Sequence, residues 1–285
     1  VALAGAAAVL LLRLVDQHTA LHGHGEVAGV DWNTILLLIS MMIVVDETQR
    51  TGVFEWIAIK AAKLARGKPV LIIVYLSIAT ALVSAFLDNV TTVLLFAPVT
   101  ILICESLGVD AVPYLVSVIV ASNLGGTATL IGDPPNIMIG SAARIGFMEF
   151  LHVDGPIALA ALVVFLLTMW IVFRRRLQVA EEQRKLVMEF DETKAITNPR
   201  LLRHCSMVIA GVLVGFCVHG SLGLEPATVA LAGAAVILLI SRTSLQQSFQ
   251  AVEWETIFFY LGLFIMCSAL VQVGVVRIMA DGAMA

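Results

Sequence analysis

Asn123-Leu-Gly-Gly-Thr-Ala-Thr-Leu-Ile-Gly-Asp-Pro-Pro-Asn136 is a glycine- and proline-broken segment set inside hydrophobic sequence. Its upstream companion is Leu87-Asp88-Asn89-Val90-Thr91-Thr92. Hydrocarbon offers no partner to backbone N–H and C=O groups. Unwound chain therefore survives at membrane depth only where protein buries it or where it lines a cavity. A carboxylate at that depth is costly and marks a functional candidate. Two such breaks in one chain read as the binding site of a transporter.

Composition sets the surroundings of these breaks. Apolar residues make up 60% of the 285 residues and charged residues 13%, with a mean hydropathy of +0.98. A soluble domain could not hide that much apolar surface, so the chain reads as an all-α polytopic membrane protein with the lipid bilayer as its main partner. The net charge of −4 sits in a few loops, and no nucleic-acid partner is expected. Cys104, Cys205, Cys217 and Cys267 lie in apolar segments without CxxC or Cys/His spacing. They read as buried thiols, with no disulfide framework, metal site or cofactor. The chain opens in Val1-Ala-Leu-Ala-Gly, with neither an initiator Met nor a basic leader, and reads as a fragment or trimmed chain.

A span needs about 20 apolar residues. The predicted segments are 1–15, 32–45, 155–173, 205–220, 226–240 and 254–271. Legs at 69–87 and 93–104 flank Asp88, and legs at 112–124 and 137–146 flank the second break. Residues 51–68 form an amphipathic segment, with Val53, Phe54, Ile57, Ala61 and Leu64 on one face, and are predicted to lie in the interface or to connect two spans. Residues 174–203 hold eight of the seventeen Lys/Arg, residues 50–68 hold five, and 16–31 hold none. This asymmetry puts 50–68 and 174–203 in the cytoplasm. It then requires 69–104 to be a hairpin that returns to the cytoplasm and 112–147 to be one broken span that crosses.

The chain also repeats itself. Val1-Ala-Leu-Ala-Gly-Ala-Ala recurs as Val229-Ala-Leu-Ala-Gly-Ala-Ala. Val30-Asp-Trp-Asn-Thr-Ile recurs as Val252-Glu-Trp-Glu-Thr-Ile, and Thr51-Gly-Val as Val273-Gly-Val. Under the orientation above the copies cross in opposite senses, which makes an inverted-topology repeat. The second copy stops before any counterpart of the Asp88 and Asn123 motifs. Half of a two-fold site is missing, and the chain as written is expected not to transport.

Ser84-Ala-Phe-Leu-Asp-Asn-Val-Thr-Thr-Val-Leu-Leu-Phe-Ala-Pro98 and Ala121-Ser-Asn-Leu-Gly-Gly-Thr-Ala-Thr-Leu-Ile-Gly-Asp-Pro-Pro-Asn136 resemble the ion transporter superfamily of arsenite permeases, NhaD-type antiporters and citrate or dicarboxylate carriers. Both are most similar to its arsenite-permease and P-protein branch. The resemblance implies a re-entrant hairpin and a broken helix whose tips meet at the site, an elevator-like motion, and a homodimer. It divides the chain into scaffold helices at 1–68, a transport domain at 69–154, a closing span at 155–173, a cytoplasmic linker at 174–203 and the scaffold of an incomplete second repeat at 204–285. Where the dicarboxylate branch carries a sodium-binding Ser-Asn-Thr tip, this chain has Asp88-Asn89-Val90, followed by Thr91 and Thr92. The carboxylate implies a different or proton-linked cation chemistry.

The candidate binding residues follow from these breaks. Asp88 and Asn89 are predicted to end one leg, with the next starting at Thr91. The tip would offer carbonyls and a carboxylate to a hard cation, and N–H groups to an anion. The bland reading is that Asp88 and Thr91 only cap the second leg. Gly125 and Gly126 permit close backbone approach, Ser122, Asn123 and Thr127 add polar side chains, and Asp133 binds a cation or braces the loop. Pro134 and Pro135 are read as stopping the helix and Asn136 as capping the residues after it. His18, His22 and His24, with Glu26, read as a solvated loop rather than a metal site. Arg144 reads as an interface anchor, Asp46-Glu47 as the end of a span, and Pro98 and Pro113 as shaping helix ends.

The leading functional expectation is a secondary active transporter of a small inorganic or organic anion, coupled to sodium or protons, in a bacterial inner membrane. A sodium/proton antiporter and a transport-dead assembly partner are the alternatives. No Walker A, HExxH or GxSxG pattern occurs, so neither an ATPase nor an intramembrane hydrolase is expected.

Overall fold

A computed structural model describes residues 1–24, 27, 29–143, 145–174 and 179–284. The first part of the chain forms α1 (Ala2–Leu11), α2 (Gln17–His22), α3 (Trp32–Gln49) and α4 (Val53–Leu64). The broken region forms α5 (Pro69–Ser84), α6 (Asn89–Leu107), α7 (Val112–Gly126), α8 (Pro134–Ala143) and α9 (Phe147–Phe173). After α10 (Glu181–Met188) and a 3₁₀ turn at Glu192–Ala195 come α11 (Pro199–Leu222), α12 (Pro226–Ser241), α13 (Leu245–Ala251), α14 (Trp254–Gln272) and α15 (Val275–Met284). Among the described residues, the extended pairing is confined to an isolated bridge between His24 and Val27.

Among the described residues, four helices are long and apolar enough to cross a membrane: α6, α9, α11 and α14. The shorter apolar helices are α1, α5, α7 and α12. Along α9, Ile157, Val164, Leu167 and Ile171 stay more than half exposed, a surface suited to lipid and not to water. Several helices outrun their predicted limits, among them α3 and α11. The second hairpin leg occupies 89–107, and α9 begins at Phe147 and passes through Pro156. Pro98 likewise lies inside α6 and does not shape its end. One proline removes one backbone bond, and in lipid no water competes for the rest, so the helix continues.

The helices bury two large apolar cores and a small cluster of Val45, Phe54 and Leu87. One joins Leu37 and Val44 of α3 to Phe216 of α11, Ala230 and Ile237 of α12 and Ile257 of α14. The other joins Ala58 and Ala62 of α4, Ile72 and Leu76 of α5, Phe96 and Ile103 of α6, and Tyr114 and Val118 of α7. The predicted apolar face of α4 is therefore displaced. Phe54, Ala58, Ala61 and Ala62 are buried whereas Leu64 is exposed, because small side chains let α4 sit close on α5 and α6. The cysteine expectation needs a similar correction: Cys104 and Cys205 are buried, but Cys217 and Cys267 are exposed on apolar helices.

Local structure recurs at the spacing of the sequence repeat. The first helix of each copy packs on the second helix of the other, α1 on α14 and α12 on α3. Both repeat tryptophans donate from Nε1 to an upstream carbonyl, Trp32 to Leu21 O at 3.2 Å and Trp254 to Phe249 O at 2.9 Å, although these acceptors are not equivalent positions. Thr34 Oγ1 donates to Asp31 Oδ2 at 2.7 Å, and Thr256 Oγ1 to Glu253 Oε2 at 3.1 Å. Gly52 and Gly274 precede α4 and α15 with φ of +79° and +78°. Glycine enters that left-handed region without steric cost.

The basic linker is more than an orientation signal. Val187 of α10 is fully buried in the second core. Glu192 takes Lys60 Nζ at 3.2 Å and also pairs with Lys63, whose Nζ donates to Phe190 O at 3.1 Å. Thr197 N donates to Thr51 O at 3.0 Å, and its hydroxyl to Arg50 O at 2.7 Å. Chiefly through the Lys63 bond, the Glu192 carboxyl falls from 4.5 to about 2. Because the folded value is the lower one, the clamp holds fully above 4.5 and is lost as pH falls towards 2. Limited proteolysis should therefore cut the segment around Glu192 faster within that window. Glu192→Ala should cut fast at neutral pH as well, and equal rates in both proteins throughout would refute the clamp.

Candidate functional site

The hairpin tip is built by α5 and α6. The first leg ends at Ser84, and the turn closes through Phe86 and Leu87 N–H bonds to Val83 O. Asp88 does not end that leg as the sequence reading had it. It is the N-cap of α6, extended, with Oδ1 accepting Thr91 N at 2.9 Å. A short carboxylate directly before a helix satisfies one of its orphan N–H groups. Its other oxygen makes no hydrogen bond among the described residues.

The second break also differs from expectation in detail. Gly125 and Gly126 still belong to α7, and Pro134-Pro135 open α8 instead of stopping the preceding helix. Proline fits a first helical turn, where its missing N–H costs nothing. Asn136 lies inside α8 and does not cap it. Its Nδ2 donates back to Gly126 O at 3.1 Å and Thr129 O at 2.9 Å, which satisfies carbonyls freed by the break. Thr129 Oγ1 donates to Ala85 O and accepts Gly132 N at 3.1 Å, tying this loop to the hairpin.

Two glycines let the two elements approach closely. A Cβ on Gly125 would stand 2.1 Å from Ala81 O, and one on Gly126 would stand 2.1 Å from Asn89 Oδ1. Asn89 is the hub of the contact. Its Oδ1 accepts from Ser84 Oγ at 3.0 Å, and its Nδ2 donates to Asp133 Oδ2 at 3.1 Å and to Asn123 Oδ1 at 3.4 Å. Its backbone O accepts from Ser122 Oγ at 2.9 Å, and Ser84 Oγ also reaches Ser122 O at 2.7 Å.

Asp88, Asn89, Thr91, Ser122, Asn123, Gly125, Gly126, Asp133, Pro134 and Asn136 are thus drawn to one junction. Thr127 is not; it is exposed and bonds Leu124 O at 2.9 Å. Thr92 is fully buried, and Pro135 is exposed. Arg144 and Glu26 lie outside the described residues.

A cavity of ≈ 360 Å³ opens beside the junction, and Asp88, Asn89, Asp133, Glu253, Glu255 and Tyr260 are among its lining residues. Among the described residues, no basic side chain lines it. The carboxylates ring this space without converging, since no three His, Cys, Asp or Glu among the described residues are placed to hold a metal ion. Such a cavity attracts cations and repels anions. Sequence reading missed Ser84, Glu253 and Glu255. For the two glutamates a signal existed, since the repeat puts Glu253 where the first copy has Asp31, and Glu255 where it has Asn33.

The described residues thus form an all-helical fold with a polar junction between two interrupted elements. Residues 1–285 match the citrate transporter family (CitMHS), and the chain belongs to that family. It is 42% identical over 283 residues, 99% of this chain, to a Mycobacterium tuberculosis protein named Uncharacterized transporter Rv2684. It is 43% identical over 279 residues, 98% of this chain, to the 46 kDa membrane protein of Mycobacterium leprae. Human P protein is 27% identical over an alignment covering 90% of this chain and 39% of that protein. The chain spans 65% of the length of the two mycobacterial relatives.

Proposed function

We propose that the chain provides the cation-handling part of a secondary active transporter, with sodium or a proton bound at the Asp88–Asn89–Asp133 junction. The observation that carries this reading is the carboxylate-ringed cavity without a basic lining residue among those described. Carboxylates and carbonyl oxygens suit a hard cation, and a buried carboxyl can also take up a proton. The transported partner is a small inorganic or organic anion, in keeping with the family's name. The same cavity favours a second reading, sodium/proton antiport, because it presents no positive group to an anion.

The two apolar cores support a division into a moving part around α5–α7 and a scaffold around α3, α12 and α14. Reciprocal packing of the repeats supports an inverted arrangement; the Lys/Arg distribution favours 174–203 on the cytoplasmic side of a bacterial inner membrane, and the family resemblance a homodimer. Flux in proteoliposomes tests the proposal, using the full-length protein under imposed sodium or proton gradients with citrate, other dicarboxylates, arsenite and sodium itself. Asp88→Asn keeps the cap acceptor and removes the charge. Gradient-driven flux should fall at least tenfold, the scale of losing one charge-assisted contact of about 1.5–3 kcal/mol. Unchanged coupled flux in Asp88→Asn would overturn it.

A further inference from the structure

We infer that the hydrogen bond between Thr91 and Glu253 is a gate in a cation passage, with Glu253 as the residue that gives the passage its charge preference. The inference rests on the cation reading above and adds a route to it.

The cavity beside Asp133 has a neighbour of ≈ 190 Å³, lined by Val45, Asp46, Gln49, Thr91, Leu94 and Ala251 among others. Both cavities are walled by the same three residues, Met42, Asp88 and Glu253. The smaller one reaches the last turn of α3, where Asp46 Oδ2 accepts the Nε of the exposed Arg50 at 2.9 Å. Carboxylates therefore follow one another from Asp133 through Asp88 and Glu253 to Asp46 and the end of the helix.

Thr91, in the wall of the smaller cavity, donates from Oγ1 to Oε1 of the shared Glu253 at 3.1 Å. Thr91 belongs to α6 in the second core, and Glu253 precedes α14 in the first. Any sliding of one core on the other must break this bond. The repeat explains why Glu253 can make it. In the first copy Asp31 uses its oxygens on its own helix, accepting from Asn33 N at 3.0 Å and Thr34 Oγ1 at 2.7 Å. Glu253 keeps the equivalent bond to Thr256 Oγ1 through Oε2, while its extra methylene lets Oε1 reach across to α6. A carboxylate held on one oxygen and latched on the other is oriented to meet a cation once the latch opens.

Thiol accessibility tests this without requiring turnover. The native cysteines are replaced in the full-length protein, and a single cysteine is placed at Leu38, buried in the wall of the larger cavity, or at Gln49 in the smaller. Oriented vesicles are then treated, from the side of the α3 C-terminus, with a cationic or an anionic methanethiosulfonate. Gln49→Cys should react readily and Leu38→Cys slowly. Adding Thr91→Val should speed Leu38→Cys by about tenfold or more, the equilibrium shift expected on losing a hydrogen bond to a charged group. Thr91→Ser should leave the rate unchanged. Glu253→Gln, which keeps the acceptor oxygen, should lower the cationic-over-anionic preference at Leu38→Cys several-fold.

Leu38→Cys reacting as fast as Gln49→Cys with the latch intact would overturn the gate, as would an unaltered rate in folded Thr91→Val. A charge preference that survives Glu253→Gln would remove Glu253 from the passage. Because labelling needs no flux, gated labelling in a protein that fails the Asp88→Asn flux test would sink the transport reading and leave the gate standing.

Discussion

Gly125→Ala is expected to destroy the site and destabilise the α5–α7 core, although it adds one methyl group. The new carbon would stand 2.1 Å from Ala81 O, 2.6 Å from Ala81 Cα and 2.7 Å from Ala81 C. These are backbone atoms of a helix interior, so no rotamer change relieves the clash and the two helices must part. Overpacking of a tight core costs about 1–3 kcal/mol, more where backbone must move. Ser84 and Ser122 bond across the same helix pair, with Ser84 Oγ at 2.7 Å from Ser122 O, so separating the helices also dismantles the Asn89 hub. The measurement is the thermal midpoint in detergent together with sodium-dependent flux. Gly146→Ala is the control, since its Cβ would meet nothing within 4 Å. A Gly125→Ala protein with the stability and flux of the control would refute the close-contact account.

Asn89→Ala should produce the other large effect, this time on affinity more than on folding. The substitution removes the amide that donates to Asp133 Oδ2 at 3.1 Å and accepts from Ser84 at 3.0 Å. Ser84 retains Ser122 O as a partner, so the stability loss is contained. Asp133 loses the donor that orients it. A hydrogen bond to a charged group is worth about 1.5–3 kcal/mol, roughly ten- to hundredfold in affinity. The half-saturating sodium or proton concentration for flux should rise by that factor. Asn89→Asp should be worse, because it sets a second carboxylate at hydrogen-bond distance from Asp133. A thermal midpoint that drops while the half-saturating concentration stays constant would make Asn89 a packing residue only.

Much of this fold is legible in the chain because membrane structure is governed locally. Apolar runs mark the helices, and both breaks show as glycine, proline and carboxylate in hydrophobic surroundings. The errors cluster at ends and faces. Asp88 reads as closing a leg, with capping of the next leg as the bland alternative, and it is the cap, because a short carboxylate suits the N-terminal end of a helix. Pro134 and Pro135 read as a stop, although proline is as comfortable in a first turn as it is disruptive in a middle one. The α4 face was drawn through Leu64 because large side chains dominate periodicity. Alanines carry the contact instead, as only they allow α5 and α6 so close.

The sequence by itself determined a helical membrane protein with a repeat and two polar interruptions, because the cost of unpaired backbone in lipid is decided residue by residue along the chain. Only the tertiary structure decided that Asn89 joins Ser84, Ser122 and Asp133, and that Glu253 reaches Thr91 across 162 positions of sequence. The Asn89 bonds to Ser84 and Ser122 depend on how α5, α6 and α7 pack within one core, and the Glu253 bond on how two separately packed cores are set against each other. Side-chain reach, one methylene longer in Glu253 than in Asp31, matters only once that placement is made.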